Sequence, residues 1–119
     1  MNGCANGVGR ITRSVEIRRI FDHGRRLSRG PLTLIGVRQA PGQEARRVGV
    51  IVGRRFGGAV ERNRIKRRLR ELLRTHPDAV PPGWDWIVLP RAPAALWSVV
   101  TLSQRVSALF DDWRHPGKK

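Results

Sequence analysis

Cysteine is almost missing from this 119-residue chain, where Cys4 stands alone. A single thiol excludes an intrachain disulfide and any zinc site built from several cysteines, which fits a reducing compartment. Cys4 reads as an incidental thiol in a tail. No 18 apolar residues follow one another, so no stretch reads as a membrane span, and residues 1–9 lack a basic segment leading into an apolar one. The expected location is the cytoplasm, with no membrane partner. Acidic residues are scarce as well, and the few acid-base groups do not converge. His23, His76 and His115 are isolated, and the carboxylates are scattered except for Asp111-Asp112. Hydrolysis by protein side chains needs converging acid-base groups or carboxylates that hold a metal, so no catalytic and no metal-binding residue is assigned. Gly57-Gly58 is not followed by a Lys-Ser/Thr ending, which excludes a nucleotide-hydrolysing P-loop and leaves a tight turn feeding a helix. Internal repeats and low-complexity segments are absent too.

What the chain has is positive charge. Lys and Arg total 24 against 9 Asp and Glu, a formal net charge of +15 with a pI near 12.0. That is more than solubility needs, and it points to a nucleic-acid partner. Only Lys66, Lys118 and Lys119 are lysine; the rest are arginines, whose guanidinium forks suit bidentate phosphate contacts and stacking on bases. The charge concentrates between Arg54 and Arg74, where nine cationic side chains meet only Glu61 and Glu71. At about 100° per residue, Ile65, Leu69, Leu72 and Leu73 share one arc of a helix, while Asn63, Arg67, Arg70 and Arg74 form a stripe opposite. A run of mixed charge is ordinarily a solvated face. Here nearly all the charge has one sign, so the free helix gains nothing from it, and a phosphate backbone would remove the repulsion.

The rest of the chain supports one domain with a modest core. Ser14 is placed to cap a helix over residues 15–23 that Gly24 stops. A short edge strand over 25–29 precedes a strand over 32–38 with apolar groups on both faces. A turn at 40–44 leads to a β-branched strand over 47–52. After the basic helix, the loop at 77–83 precedes a tryptophan-rich strand over 84–89, and a last helix carries Leu102, Val106, Leu109, Phe110 and Trp113 on one face. Residues 1–9 are expected to form a flexible tail, 10–114 the domain, and 115–119 a basic tail.

The run Arg47-Val48-Gly49-Val50-Ile51-Val52, the pair Arg54-Arg55, and then Gly57-Gly58-Ala59-Val60-Glu61-Arg62-Asn63-Arg64-Ile65-Lys66-Arg67-Arg68-Leu69-Arg70-Glu71 resemble the signature of the bacterial ribonuclease P protein family. In that family a strand, a basic pair and a Gly-Asn-Ala-Val turn lead into an Arg-Asn-Arg helix. Residues 17–24, with their Phe-x-x-Gly ending, resemble the family's first helix. Residues 85–94 resemble its last strand and the Arg-x-Pro-Ala turn that follows. The resemblance spans roughly Arg10 to Trp113.

The resemblance implies an α+β fold, an α-β sandwich of order αβββαβα with a left-handed βαβ crossover around the basic helix, an exception to the usual handedness. It implies a protein subunit of a ribonucleoprotein endoribonuclease that removes the 5′ leader from precursor tRNA, with Mg²⁺-dependent catalysis on the RNA subunit and no metal site on the protein. The implied partners are the catalytic RNA and precursor tRNA, with no obligate protein partner. Arg62, Asn63, Arg64, Lys66, Arg67 and Arg70, flanked by Arg54 and Arg55, match the helix that meets the RNA subunit. Ile17, Phe21, Thr33 and Ile35 match the cleft for the single-stranded leader. Ile17 and Ile35 stand where aromatic residues are common, and Gly58 replaces the usual Asn. Plain core packing is an equal reading of Ile17 and Phe21. The alternative to the whole assignment is a ribosomal or general structured-RNA-binding protein.

Overall fold

Strands that are apolar on both faces need cover on both sides, and this requirement organises the molecule. The computed structural model describes residues 8–92 and 97–114. The elements are β1 (Val8–Arg10), α1 (Ser14–His23), β2 (Arg25–Arg29), β3 (Leu32–Arg38), β4 (Arg46–Val50), α2 (Ala59–Thr75), β5 (Trp84–Pro90) and α3 (Val99–Arg114), with 3₁₀ turns at Arg54–Phe56 and Pro77–Ala79. Among the described residues the strands form one sheet of order β1-β4-β5-β3-β2. β1, β4 and β5 run parallel, while β3 is antiparallel to both β5 and β2.

Alternation along the strands divides two cores. Leu32 and Leu34 of β3, Val48 and Val50 of β4, and Trp86 and Val88 of β5 face α2 and α3 in the larger one. There Trp86 is fully buried, its ring 4.8 Å from that of Trp113 and 5.1 Å from that of Phe110, both edge to face. The Trp86 indole N–H donates to the Pro81 carbonyl at 3.1 Å, so the polar end of the ring is satisfied. The alternate residues Ile35 and Ile87 pack with Ile11 and Ile20 beneath α1 on the other face. Gly24 allows that helix to end close to β3, because a Cβ there would lie 2.6 Å from Ile35 Cγ2.

Three expectations are corrected. Val8 and Gly9, read as part of a flexible tail, belong to β1, which pairs with β4 through Val8↔Arg46 and Gly9↔Arg47. Ser14 is the first residue of α1 rather than its cap; Arg13 holds that position and no side chain caps the helix. β4 ends at Val50 instead of Val52, although the Ile51 N–H still donates to the Val88 carbonyl at 3.1 Å. Cys4, Pro93, Ala94 and the expected tail at 115–119 lie outside the described residues.

Gly58 is the N-cap of α2 and has no side chain to accept from the first helical N–H groups. Its φ of −72° suits any residue, and an added Cβ would meet only the flexible Glu61 Oε1, at 3.0 Å. Gly58→Asn is therefore expected to stabilise the protein by about 0.5 kcal/mol through capping and reduced unfolded-state freedom. Chemical denaturation checks this, and a lowered midpoint contradicts it.

Candidate nucleic-acid interface

α2 sinks Ile65, Leu69, Leu72 and Leu73 into the larger core, and its geometry then turns the other residues outward. Asn63, Arg64, Arg67 and Arg70 are exposed, while Arg62 and Lys66 are half-buried at the margins. Arg54 and Arg55 are exposed on the 3₁₀ turn before the helix, anchored by Phe56, which is buried in the same core. Gly57 makes the bend between turn and helix at φ 157° and ψ −164°, a region essentially reserved for glycine. The structure thus brings all eight residues predicted for the RNA subunit onto one helix and the turn that feeds it.

These cations are not neutralised internally. Among the described residues, none of the seven Arg and Lys side chains in that predicted set takes part in an ion pair. Glu71 is engaged by Arg74 at 2.6 Å, and that hydrogen bond holds its carboxyl below the usual carboxylate range. Partial burial, and then the charge of Arg10 on β1, lower the pKa of Arg70 from its ordinary value. The outward ridge of α2 lies between two grooves. One, of about 240 Å³, opens toward β1 and includes Arg10, Arg67 and Arg70. The other, of about 590 Å³, opens toward α3 and includes Arg64, Arg67 and Arg68.

The predicted leader residues lie across the sheet, on its α1 face. Ile17 and Phe21 are half-buried against the smaller core, and the Arg26 guanidinium sits 5.5 Å from the centroid of the Phe21 ring. Thr33 is only 8% exposed, and its hydroxyl is 2.9 Å from that of Ser28. Ile35 corrects the sequence reading: at 0% exposure it offers no surface to a ligand and forms part of the floor. Leu89, opposite Thr33 in the register, and Ile51 are half-buried on the same face and were missed. The alternation of β5, which places Leu89 with Ile87, carried the signal for Leu89. The Arg54–Phe56 turn follows Ile51 by only a few residues, so the basic pair leaves the sheet at the end that holds Thr33 and Leu89.

Asp85 and Arg47 fix α1 over this face. Asp85 is 4% exposed and accepts from Arg47 Nη1 at 3.3 Å and from Gln39 Nε2 at 3.0 Å. Arg47 Nη2 also donates to both carboxylate oxygens of Glu16 on α1 at 2.8 Å. Both carboxylates are thus committed to holding a helix. Among the described residues, no group of three or more His, Cys, Asp or Glu is arranged to hold a metal ion. Nor is any described helix long and apolar enough to cross a membrane.

The fold and this surface define an α+β protein with a cationic helix face suited to a polyanion. The ribonuclease P family model matches residues 7–114. A ribonuclease P protein component from Dehalococcoides mccartyi is 42% identical over 104 residues, covering 87% of this chain and 82% of the relative. Another, from Herpetosiphon aurantiacus, is 40% identical over 80% of this chain and 76% of its own length. The solved ribonuclease P protein from Thermotoga maritima superimposes with a TM-score of 0.75 at 26% identity, covering 86% of this chain and 96% of that one. The chain belongs to the ribonuclease P protein family. It is the protein component of a tRNA-processing endoribonuclease, the partner of a ribonuclease P RNA.

Asp85→Ala is expected to cost about 2–3 kcal/mol, below the usual loss for breaking a buried ion pair because Arg47 keeps Glu16 and some access to water. Urea unfolding measures it. A midpoint equal to wild type would show that the cluster contributes nothing to holding α1.

Proposed function

We propose that the chain binds the catalytic RNA through α2 and the Arg54-Arg55 turn, and the single-stranded 5′ leader of precursor tRNA along the α1 face of the sheet. The observation that carries this reading is the division of the surface. A cationic ridge stands on one side of the sheet, where among the described residues none of the seven predicted Arg and Lys side chains is in an ion pair, and a half-open apolar face lies on the other. The ridge suits a structured polyanion, because phosphate contacts provide affinity and register without reading sequence. The apolar face suits unstacked bases, which pack against rings and aliphatic side chains. Phe21 supplies the ring there; Ile17, Ile51 and Leu89 supply aliphatic contact, and Thr33 a largely covered hydroxyl.

Hydrolysis belongs to the RNA subunit in this reading, with Mg²⁺ as that subunit's cofactor and the cytoplasm as the place of action. The protein's contribution is electrostatic and positional: it neutralises phosphates that repel one another in the active RNA fold and holds the leader in line with the scissile bond. Reconstitution with ribonuclease P RNA at low Mg²⁺ tests this directly. The protein should restore 5′ processing of precursor tRNA, and the protein without RNA should cleave nothing. Metal-dependent 5′ cleavage by RNA-free protein would overturn the division of labour.

If about six phosphates are neutralised, the logarithm of the RNA-subunit affinity should fall against log salt with a slope of roughly −4 to −5. Filter binding across a salt series measures it, and a flat line refutes the electrostatic interface.

The two surfaces should also fail differently. Arg62→Ala with Arg64→Ala should weaken holoenzyme assembly, yet leave substrate preference intact once the RNA is saturated with protein. Phe21→Ala should lower affinity for precursor tRNA relative to mature tRNA, by a factor reflecting roughly 1–3 kcal/mol of lost contact to a base. Thermal denaturation establishes first that the variant is folded. A folded Phe21→Ala holoenzyme with the wild-type ratio would make Phe21 a core residue only.

A further inference from the structure

The cationic surface does not stop at α2. The groove between β1 and α2 has apolar walls from Val8, Val48 and Leu73, and four arginines line it: Arg74, which is committed to Glu71, and the other three, Arg10, Arg67 and Arg70. Arg10 comes from the edge strand; Arg67 and Arg70 come from adjacent turns of the helix. Glu71 also borders the groove, but its carboxylate is held by Arg74, and among the described residues none of the three arginines has an ion-pair partner. Burial first, and then the charge of Arg10, lowers the pKa of Arg70, so Arg70 lies within reach of the Arg10 charge across the groove. Apolar walls strengthen that repulsion relative to open water. A bound anion converts it into attraction, and two guanidinium forks suit a phosphate with several acceptor oxygens.

We propose that the β1–α2 groove seats a backbone phosphate of the ribonuclease P RNA between Arg10 and Arg70, making the edge strand part of the RNA-binding surface. This rests on α2 being the face that meets the RNA subunit. RNA is the source of the phosphate because Arg67 lies both in this groove and on the exposed ridge, so one continuous backbone could cross both. A shared phosphate would also tie β1 to α2, where the strand is otherwise held by pairing over three residues.

The test is equilibrium binding of the protein to ribonuclease P RNA across a salt series, with wild type, Arg10→Ala, Arg10→Lys, Arg70→Ala, the Arg10→Ala/Arg70→Ala double variant and, as a control, Arg91→Ala, at an exposed arginine directly after β5 that does not line the groove. Circular dichroism establishes folding, and Arg10→Gln replaces any Arg10→Ala protein that does not fold. Arg10→Ala should flatten the salt slope by about one unit and weaken binding roughly tenfold at 0.1 M salt. Arg10→Lys should recover most of that loss. The double variant should lose less than the product of the single losses, because both arginines hold one phosphate. An unchanged slope for Arg10→Ala, fully multiplicative losses, or an equal loss for Arg91→Ala would each overturn the shared seat while leaving the α2 interface standing. Salt-independent binding by the wild type would overturn both.

Discussion

Burial of the Ile65, Leu69, Leu72 and Leu73 stripe against the sheet is the interaction on which the surface chemistry depends. A helix carrying this much charge of one sign has little reason to hold its place in water. The apolar stripe supplies one, with each fully buried Leu or Ile contributing roughly 1.5–3 kcal/mol. The same contact sets the rotation of the helix about its axis, and with it the direction in which Asn63, Arg67 and Arg70 project. Affinity for RNA and stability of the fold are thus assigned to opposite sides of one cylinder. A change on the outer side alters charge with little effect on packing, whereas a change on the inner side would disturb both.

The sheet separates two further tasks. Its α2 face is packed by tryptophan, phenylalanine and leucine from β5 and α3, and the ring contacts around Trp86 leave little room for adjustment. Its α1 face is thinner, with few fully buried side chains and several half-buried ones. The thinner side needs another means of fixing its helix, and Asp85 with Arg47 and Glu16 provides it. In a chain with so few acids, placing two of them against one arginine shows where the fold requires directional contacts.

Much of this was legible in the sequence where a local period carries the information. The 3.6-residue spacing in α2 and α3 identified every residue that those helices bury, and the bounds of β2 and β3 followed from their glycine and proline punctuation. β1 was not legible, because three residues have no period and its partner strand lies far along the chain. The depth of Ile35 was equally hidden. When both faces of a strand are apolar, alternation assigns side chains to faces without saying which face a helix covers more closely. The Gln39–Asp85–Arg47–Glu16 cluster joins four separate segments, which no single-window pattern can anticipate. The family resemblance located the two candidate surfaces, but the geometry had to show that one is an exposed ridge and the other a partly filled recess.

The strand order has a consequence for how the molecule comes into being. β3 and β4 are neighbours in sequence yet do not pair; each lies beside β5, the last of the described strands along the chain. Among the described residues, the hairpin of β2 and β3 and the parallel pair of β1 and β4 have no strand pairing with one another, and residues 84–90 join them. Insertion of one tryptophan-bearing strand closes the sheet and completes both cores. The nascent chain therefore carries α2, with its leucines and its arginines, before the central strand needed to seat that helix exists. Loop-closure entropy must be overcome for that long-range pairing before its contacts form. Native pairing of the two halves therefore requires β5.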